Sequence, residues 1–336
     1  MANMGVVSAF LVVILHVGEP KIVGSSGWWW SEICMLISKI AVPYFFVAAG
    51  FFLAGHINEK GWWPKEVLKR IKTLLIPYII WCLIWWLFYA PFGLYADYLH
   101  SREFGYSISL FDSKWLNILG LNIFQCPFYS PMWFLRALFI IILGSVLLVP
   151  VIRRWGVVVL AMLFVSYVLI TPDATHKNEW SWMLRHGVSL FGTFWFSVGI
   201  FLRMRMDDIK VWLNKPGAII AMFLSICILG ANTYFDFCGV RVSFPLEPFF
   251  IGLCLYWVFC FISSGEWADY LTRNTFPIYL LHSFFTFTLG ITFFRNTDLW
   301  WHLSFKALVS FLLSVLVSVL MRRYMHSVSK ILLGSR

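Results

Sequence analysis

Apolar runs of bilayer-crossing length recur along the whole chain, and they constrain its fold more than any other feature. A helix rising 1.5 Å per residue needs about 20 apolar residues to cover ~30 Å of hydrocarbon. Runs of that kind lie at roughly 3–18, 33–54, 73–93, 131–151, 155–172, 187–202, 216–233, 246–264, 276–294 and 303–321. Little remains to face water. Of the 336 residues, 60% are hydrophobic and only 12% charged, about half the charged share of a soluble domain. That excludes a soluble globular protein, a coiled coil, a disordered chain and a disulfide-built secreted scaffold. The run beginning at Met4 has no basic stretch before it and no clear cleavage site, so it reads as a first span rather than a signal peptide. The expectation is an all-α polytopic membrane protein, a single integral-membrane domain over 1–336 with about ten transmembrane helices.

Lysine and arginine set the orientation. With the N-terminus in the cytoplasm, 16 basic residues fall on the cytoplasmic side, among them Lys65, Lys69, Arg70, Lys72, Arg153, Arg154, Arg203, Arg205, Arg322 and Arg323. The opposite side receives 7, and Lys39, Arg136 and Lys306 lie within or at the edges of spans. Both termini are therefore expected inside, and the net charge of +10 is largely a topology signal. It does not call for nucleic acid as a partner. The seven cysteines lie mostly in apolar runs, where a thiol behaves as a small buried hydrophobe. No metal is expected, because no CxxC or Cys/His ligand spacing occurs. The longest loop, about 94–130, falls outside and carries charged and aromatic residues; loops of that length are usually functional. Trp28, Trp29, Trp30, Trp62, Trp63, Trp300 and Trp301 cluster at span ends, as an interfacial aromatic belt or as a platform for stacking sugars.

Several polar residues sit where hydrocarbon would penalise them. His16 ends the first span, ~16 Å along the helix from Gly5. Ionisable groups at such depth face a bundle interior or a cavity and mark function, although a structural histidine fits the position too. His282, in Ile278-Tyr279-Leu280-Leu281-His282, is open to the same two readings. Arg136 follows Trp133-Phe134-Leu135 and either serves a site or snorkels outward. Lys39, four residues before Pro43, points to an irregular start of the second helix, tolerated at depth only where protein or a polar cavity satisfies it. The basic stretch 65–72 is either an anchor or a cradle for an anionic cytoplasmic ligand.

These stretches together resemble the acyltransferase-3 family of membrane O-acyltransferases. The first helix ending at His16 resembles the family's opening helix. Val42-Pro43-Tyr44-Phe45-Phe46-Val47-Ala48-Ala49-Gly50 resembles its Val-Pro-x-Phe-Phe-x-x-Ser-Gly segment, and Lys69-Arg70-Ile71-Lys72 with Ile76-Pro77-Tyr78 its basic stretch. Trp133-Phe134-Leu135 and the segment ending at His282 resemble two later signatures. The chain is most similar to the branch that acetylates bacterial surface polysaccharides, the enterobacterial common antigen type among them. It departs from the family pattern at Gly5, where an arginine is usual, at Ala49 in place of serine and at Thr73 in place of a second arginine.

The resemblance implies a multi-pass protein of the bacterial inner membrane. It would move an acetyl group from acetyl-CoA, a donor substrate rather than a tightly bound cofactor, to a hydroxyl of a polysaccharide or lipid-linked oligosaccharide acceptor. His16 would be the catalytic residue, as base or as acyl carrier, since an imidazole titrates near neutral pH. Lys69, Arg70 and Lys72 would hold the cofactor phosphates. His282, Arg136, Trp133 and Lys39 are further substrate-site or structural candidates. Two alternatives stand beside this reading: a transporter or flippase for an anionic or lipid-linked substrate, and a catalytically impaired copy of the same fold.

Overall fold

The computed structural model describes residues 2–17, 24–85, 87, 130–170, 189–206, 208, 215–237, 249–256, 274–293 and 299–334. The long loop expected at 94–130 lies outside them, save its last residue. Among the described residues all regular structure is helical. The helices are α1 (Ala2–Leu15), α2 (Ser26–Ser38), α3 (Ala41–Ala54) and α4 (Trp62–Arg70), then a π-helical turn (Ile71–Leu75) leading into α5 (76–85). There follow α6 (Trp133–Ile170), α7 (Leu190–Met204), α8 (Lys215–Phe237), α9 (249–256), α10 (Thr275–Thr292), α11 (Trp300–Tyr324) and α12 (His326–Leu332).

Helix α11 shows what solvent the fold is built for. Its buried face carries Lys306, Ala307, Ser310, Ser314 and Ser318, whereas Leu308, Leu312, Leu316 and Leu320 are exposed. In water that arrangement would be inverted. In a bilayer it is expected, because small and polar residues let helices approach and bond, and leucine faces lipid. The stretches Trp133–Tyr167 and Trp300–Tyr324 are long and apolar enough to cross a membrane, and several shorter helices are equally apolar. Trp30 and Trp300 meet at 6.3 Å where α2 and α11 begin.

The run at 33–54, read from sequence as one span, is broken. The chain leaves α2 at Ser38, turns through Lys39 and Ile40 and restarts as α3. Pro43 has no amide to return to the Lys39 carbonyl, and its ring clashes with that group. The irregular start expected at Lys39 is therefore observed. Pro77 acts similarly: the Thr73 carbonyl loses its α-helical partner there, and the turn just before it widens to π-helix.

The runs at 131–151 and 155–172 are the two arms of α6. Trp155 leaves helical geometry at φ −129, ψ 29. The second arm packs antiparallel on α7, with Phe164 against Phe194 and Tyr167 against Phe191. The first arm runs parallel to α3, from Phe134 beside Phe46 to Arg153 bonded to Asn58. The reversal falls beside Arg153 and Arg154, where the charge pattern places a loop.

Two glycines bring α3 and α7 together. A Cβ on Gly50 would collide with the Phe196 carbonyl, and one on Gly199 with the Val47 carbonyl. With no side chain at either point the two backbones touch, which is how helices gain packing energy when lipid is as apolar as leucine. Helix α1 sits at the centre, against α2, α3, α10 and α11. Its last turn is thereby held inside protein.

Candidate active site

His16 follows the last residue of α1, in a turn closed by its own amide on the Val13 carbonyl at 3.0 Å. Its imidazole meets that of His282 on α10, ring centroids 5.1 Å apart. The sequence separates these residues by most of the chain, yet the parallel packing of α1 on α10 joins them.

The hydrogen bonds assign the tautomers. His282 Nδ1 lies 2.8 Å from the Tyr279 carbonyl and 3.1 Å from the Ile278 carbonyl, both acceptors, so Nδ1 carries the proton. Its Nε2 accepts from the Ser283 hydroxyl at 3.1 Å and faces His16 Nδ1 at 3.4 Å. His16 Nδ1 donates to the Val12 carbonyl at 2.8 Å. The lone pair of His16 therefore resides on Nε2. His282 is fully buried and His16 only partly. One ring is thus a fixed support, and the other presents a basic nitrogen.

Beyond His16, Lys306 on α11 donates its ammonium to the Val17 carbonyl. A cation there satisfies a carbonyl left over at the end of α1 and complements the helix dipole. Lys306 is buried, and a Cβ on Gly290 would sit 2.9 Å from its Nζ. Sequence reading left Lys306 as a charge at a span edge. Its signal was there: a lysine inside an apolar run, on the helix face that also carries Ser310, Ser314 and Ser318.

At the opposite end of α10 lies a cavity of about 830 Å³, within the range of small-molecule sites. Its lining includes Lys69, Arg70, Thr73, Arg322, His326 and Glu66, with Phe276 and Pro277 from the first turn of α10. His282 stands five residues after Pro277, ~8 Å along the helix axis. One helix therefore links the basic cavity to the histidine pair.

Two of the three expected phosphate ligands, Lys69 and Arg70, line this cavity; Lys72 is exposed and lies outside its lining. Glu66 bonds Arg70 at 2.6 Å and Lys69 at 3.4 Å. Burial raises the affinity of the Glu66 carboxyl for its proton, but the charges and hydrogen bonds of Arg70 and Lys69 together outweigh that and hold it below the usual carboxylate range. The carboxylate is charged at neutral pH and partly neutralises the cavity. The i, i+4 spacing of Glu66 and Arg70 was the sequence signal for this pair. Arg322, counted from sequence only among the basic residues of the cytoplasmic side, lines the cavity where Lys72 does not.

Arg136 turns inward rather than snorkelling. It is buried on α6 and hydrogen-bonds the Tyr78 hydroxyl, which also engages Cys82. Trp133 belongs to an aromatic cluster with Phe46 and Phe134. Lys39 is half-buried in the turn between α2 and α3. Gly5 is buried in α1.

The family model described as an acyltransferase domain matches residues 6–323. The chain belongs to that family. No curated protein and no solved structure matches it. The match runs from within α1 to near the end of α11, so His16, His282, Lys306 and Arg322 fall inside the acyltransferase domain, while His326, Leu333 and Gly334 of the cavity lining lie just beyond it. A membrane acyltransferase has to bring an acyl donor and an acceptor to one base. In this acyltransferase His16 is a partly buried imidazole with a defined lone pair, and a large basic cavity lies on the same helix as the ring that supports it.

Proposed function

We propose that this acyltransferase moves an acetyl group from acetyl-CoA, bound at the cytoplasmic face, to a hydroxyl of a surface polysaccharide or its lipid-linked precursor. The observation that carries the reading is the placement of α10: its first turn lines the basic cavity, and its third bears the histidine that supports His16. The cavity would hold the nucleotide phosphates on Lys69, Arg70 and Arg322, and the pantetheine arm would follow α10 toward His16. The acceptor hydroxyl gives its proton to His16 Nε2, and its oxygen attacks the thioester carbonyl. The C–S bond then breaks, and the coenzyme A thiolate takes the proton. If the acetyl group first rests on the imidazole, Nε2 is again the atom that carries it. Supporting the orientation, basic residues distant in sequence (Arg70, Arg153, Arg203 and Arg322) gather at the α3 C-terminal end of the bundle.

The direct test is the purified protein in nanodiscs with radiolabelled acetyl-CoA and host polysaccharide. Label transferred to polysaccharide supports the reading; no transfer under conditions where donor binds would favour an impaired copy, which the glycine at position 5 also suggests. Two substitutions probe the donor cavity with opposite signs. Arg70→Ala removes a charge-assisted contact worth ~1.5–3 kcal/mol and is expected to weaken coenzyme A binding about ten- to a hundredfold. Glu66→Gln removes a carboxylate that repels phosphate. At ~7 Å and an effective dielectric of ~20–40 that repulsion is ~1–2 kcal/mol, so coenzyme A should bind roughly five- to thirtyfold tighter. Equal affinities for wild type and both variants, measured by calorimetry, would return the stretch to an anchoring role.

A further inference from the structure

A second basic cleft opens on the other side of the α3 C-terminus. It measures about 990 Å³ and lies between the end of α3, the reversal in α6 and the end of α7. Arg153, Arg154, Arg203 and Arg205 line it, and among the described residues Asp208 is its one carboxylate. The cleft exists because α6 reverses there. Trp155 leaves helical geometry, and Gly156 packs so closely on α7 that a Cβ would lie 2.6 Å from the Phe201 ring. The guanidinium groups are held in place by what they touch. Arg153 bonds the Asn58 side chain at 2.9 Å, Arg203 stacks over Phe51 at 5.2 Å, and Arg154 stacks over Trp155 at 5.6 Å. A stacked guanidinium keeps in-plane N–H donors available for phosphate.

The rim identifies the ligand. Val151, Trp155, Val157 and Val158 are all exposed, Val157 to 70%, and all lie within a turn or so of the arginines. In a membrane protein such a surface meets acyl chains. A ligand that fills the cleft must therefore join an anionic head to hydrocarbon tails. The geometry points to a binding site for the phosphate headgroup of an anionic phospholipid, seated on the arginines of the α6 reversal with its tails along the second arm of α6. Basic pockets between membrane helices hold acidic lipid headgroups in this way. The site is separate from the coenzyme A cavity and would tie the α6 reversal and the α3–α7 pair to one leaflet. It depends on membrane embedding and is independent of the acetyl-transfer reading.

The test is native mass spectrometry of the full chain in mild detergent, titrated with phosphatidylglycerol or with phosphatidylcholine of identical acyl chains. Wild type should retain phosphatidylglycerol roughly tenfold or more tightly, since each basic residue near the surface contributes about a fivefold preference. Arg153→Gln with Arg154→Gln and Arg205→Gln should reduce that preference to the phosphatidylcholine level. The corresponding Arg→Lys triple variant, which keeps the charge, should retain most of it, and it serves if the glutamine variant fails to fold. Lys65→Gln with Lys72→Gln, outside the cleft, should leave it unchanged. Inorganic phosphate in millimolar excess should not displace the lipid. A glutamine triple variant that keeps the wild-type preference for phosphatidylglycerol, a folded lysine triple variant that loses it, or full displacement by inorganic phosphate would overturn the assignment.

Discussion

Replacing His16 by glutamine is expected to lower acetyl transfer by a factor of about 10²–10⁴, the usual contribution of a positioned general base. Glutamine can still donate to the Val12 carbonyl, the bond that His16 Nδ1 makes at 2.8 Å, so the turn ending α1 should survive. It has no nitrogen able to take a proton at neutral pH. Expression, detergent stability and coenzyme A affinity should therefore match wild type while turnover disappears. His282→Gln should behave differently. His282 supports His16 through Nε2 and is anchored by carbonyls on its own helix, so its loss should slow turnover less and leave donor affinity intact. Turnover of the His16 variant at the wild-type level would make His16 structural. A His282 variant as inactive as the His16 variant would move His282 into the chemistry itself.

How far the site was legible depends on which interactions are local in sequence. Both histidines stood out because an imidazole in an apolar run is expensive and needs a reason. That they touch was not legible, because 265 residues separate them and only the packing of α1 on α10 brings them together. The break at Lys39 could be read from Pro43, since the clash of a proline with the carbonyl four residues back is local. The same logic missed Lys72: three basic residues within four positions look like one patch, but a helix points them in different directions, and the π-helical turn at Ile71–Leu75 changes the register further. Arg322 was invisible as a cavity residue because the α11 end reaches α4 only in the folded bundle. The two arms of α6 were legible from Arg153 and Arg154, whose charges do not belong in hydrocarbon. The inverted face of α11 was also written in the chain, as serines at 310, 314 and 318 alternating with leucines at 308, 312, 316 and 320.

Gly199→Ala is expected to cost more stability than any conservative substitution on the lipid-facing surface. The added methyl would collide with the Val47 carbonyl and crowd the Phe51 amide at 2.9 Å. Both are backbone atoms of α3, so no side chain can rotate out of the way and the two helices must separate. Overpacking costs typically ~1–3 kcal/mol, and a backbone obstacle places this case at the upper end. For a chain of this size that corresponds to a fall of roughly 3–5 °C in melting temperature, measurable by a thermal-shift assay in detergent. Gly144→Ala and Gly230→Ala are the controls. Nothing lies within 4 Å of a Cβ at either position, and alanine favours helix over glycine by about 1 kcal/mol, so both should melt at or slightly above wild type. The effect should reach function as well. Helix α3 supplies Ala49 and Phe52 to the wall of the basic cavity, and pushing it away from α7 moves that wall. Coenzyme A affinity should fall along with stability in Gly199→Ala and stay unchanged in the two controls. A Gly199 variant that melts with the controls would mean that α3 and α7 are not in backbone contact, and the cavity wall would then need another support.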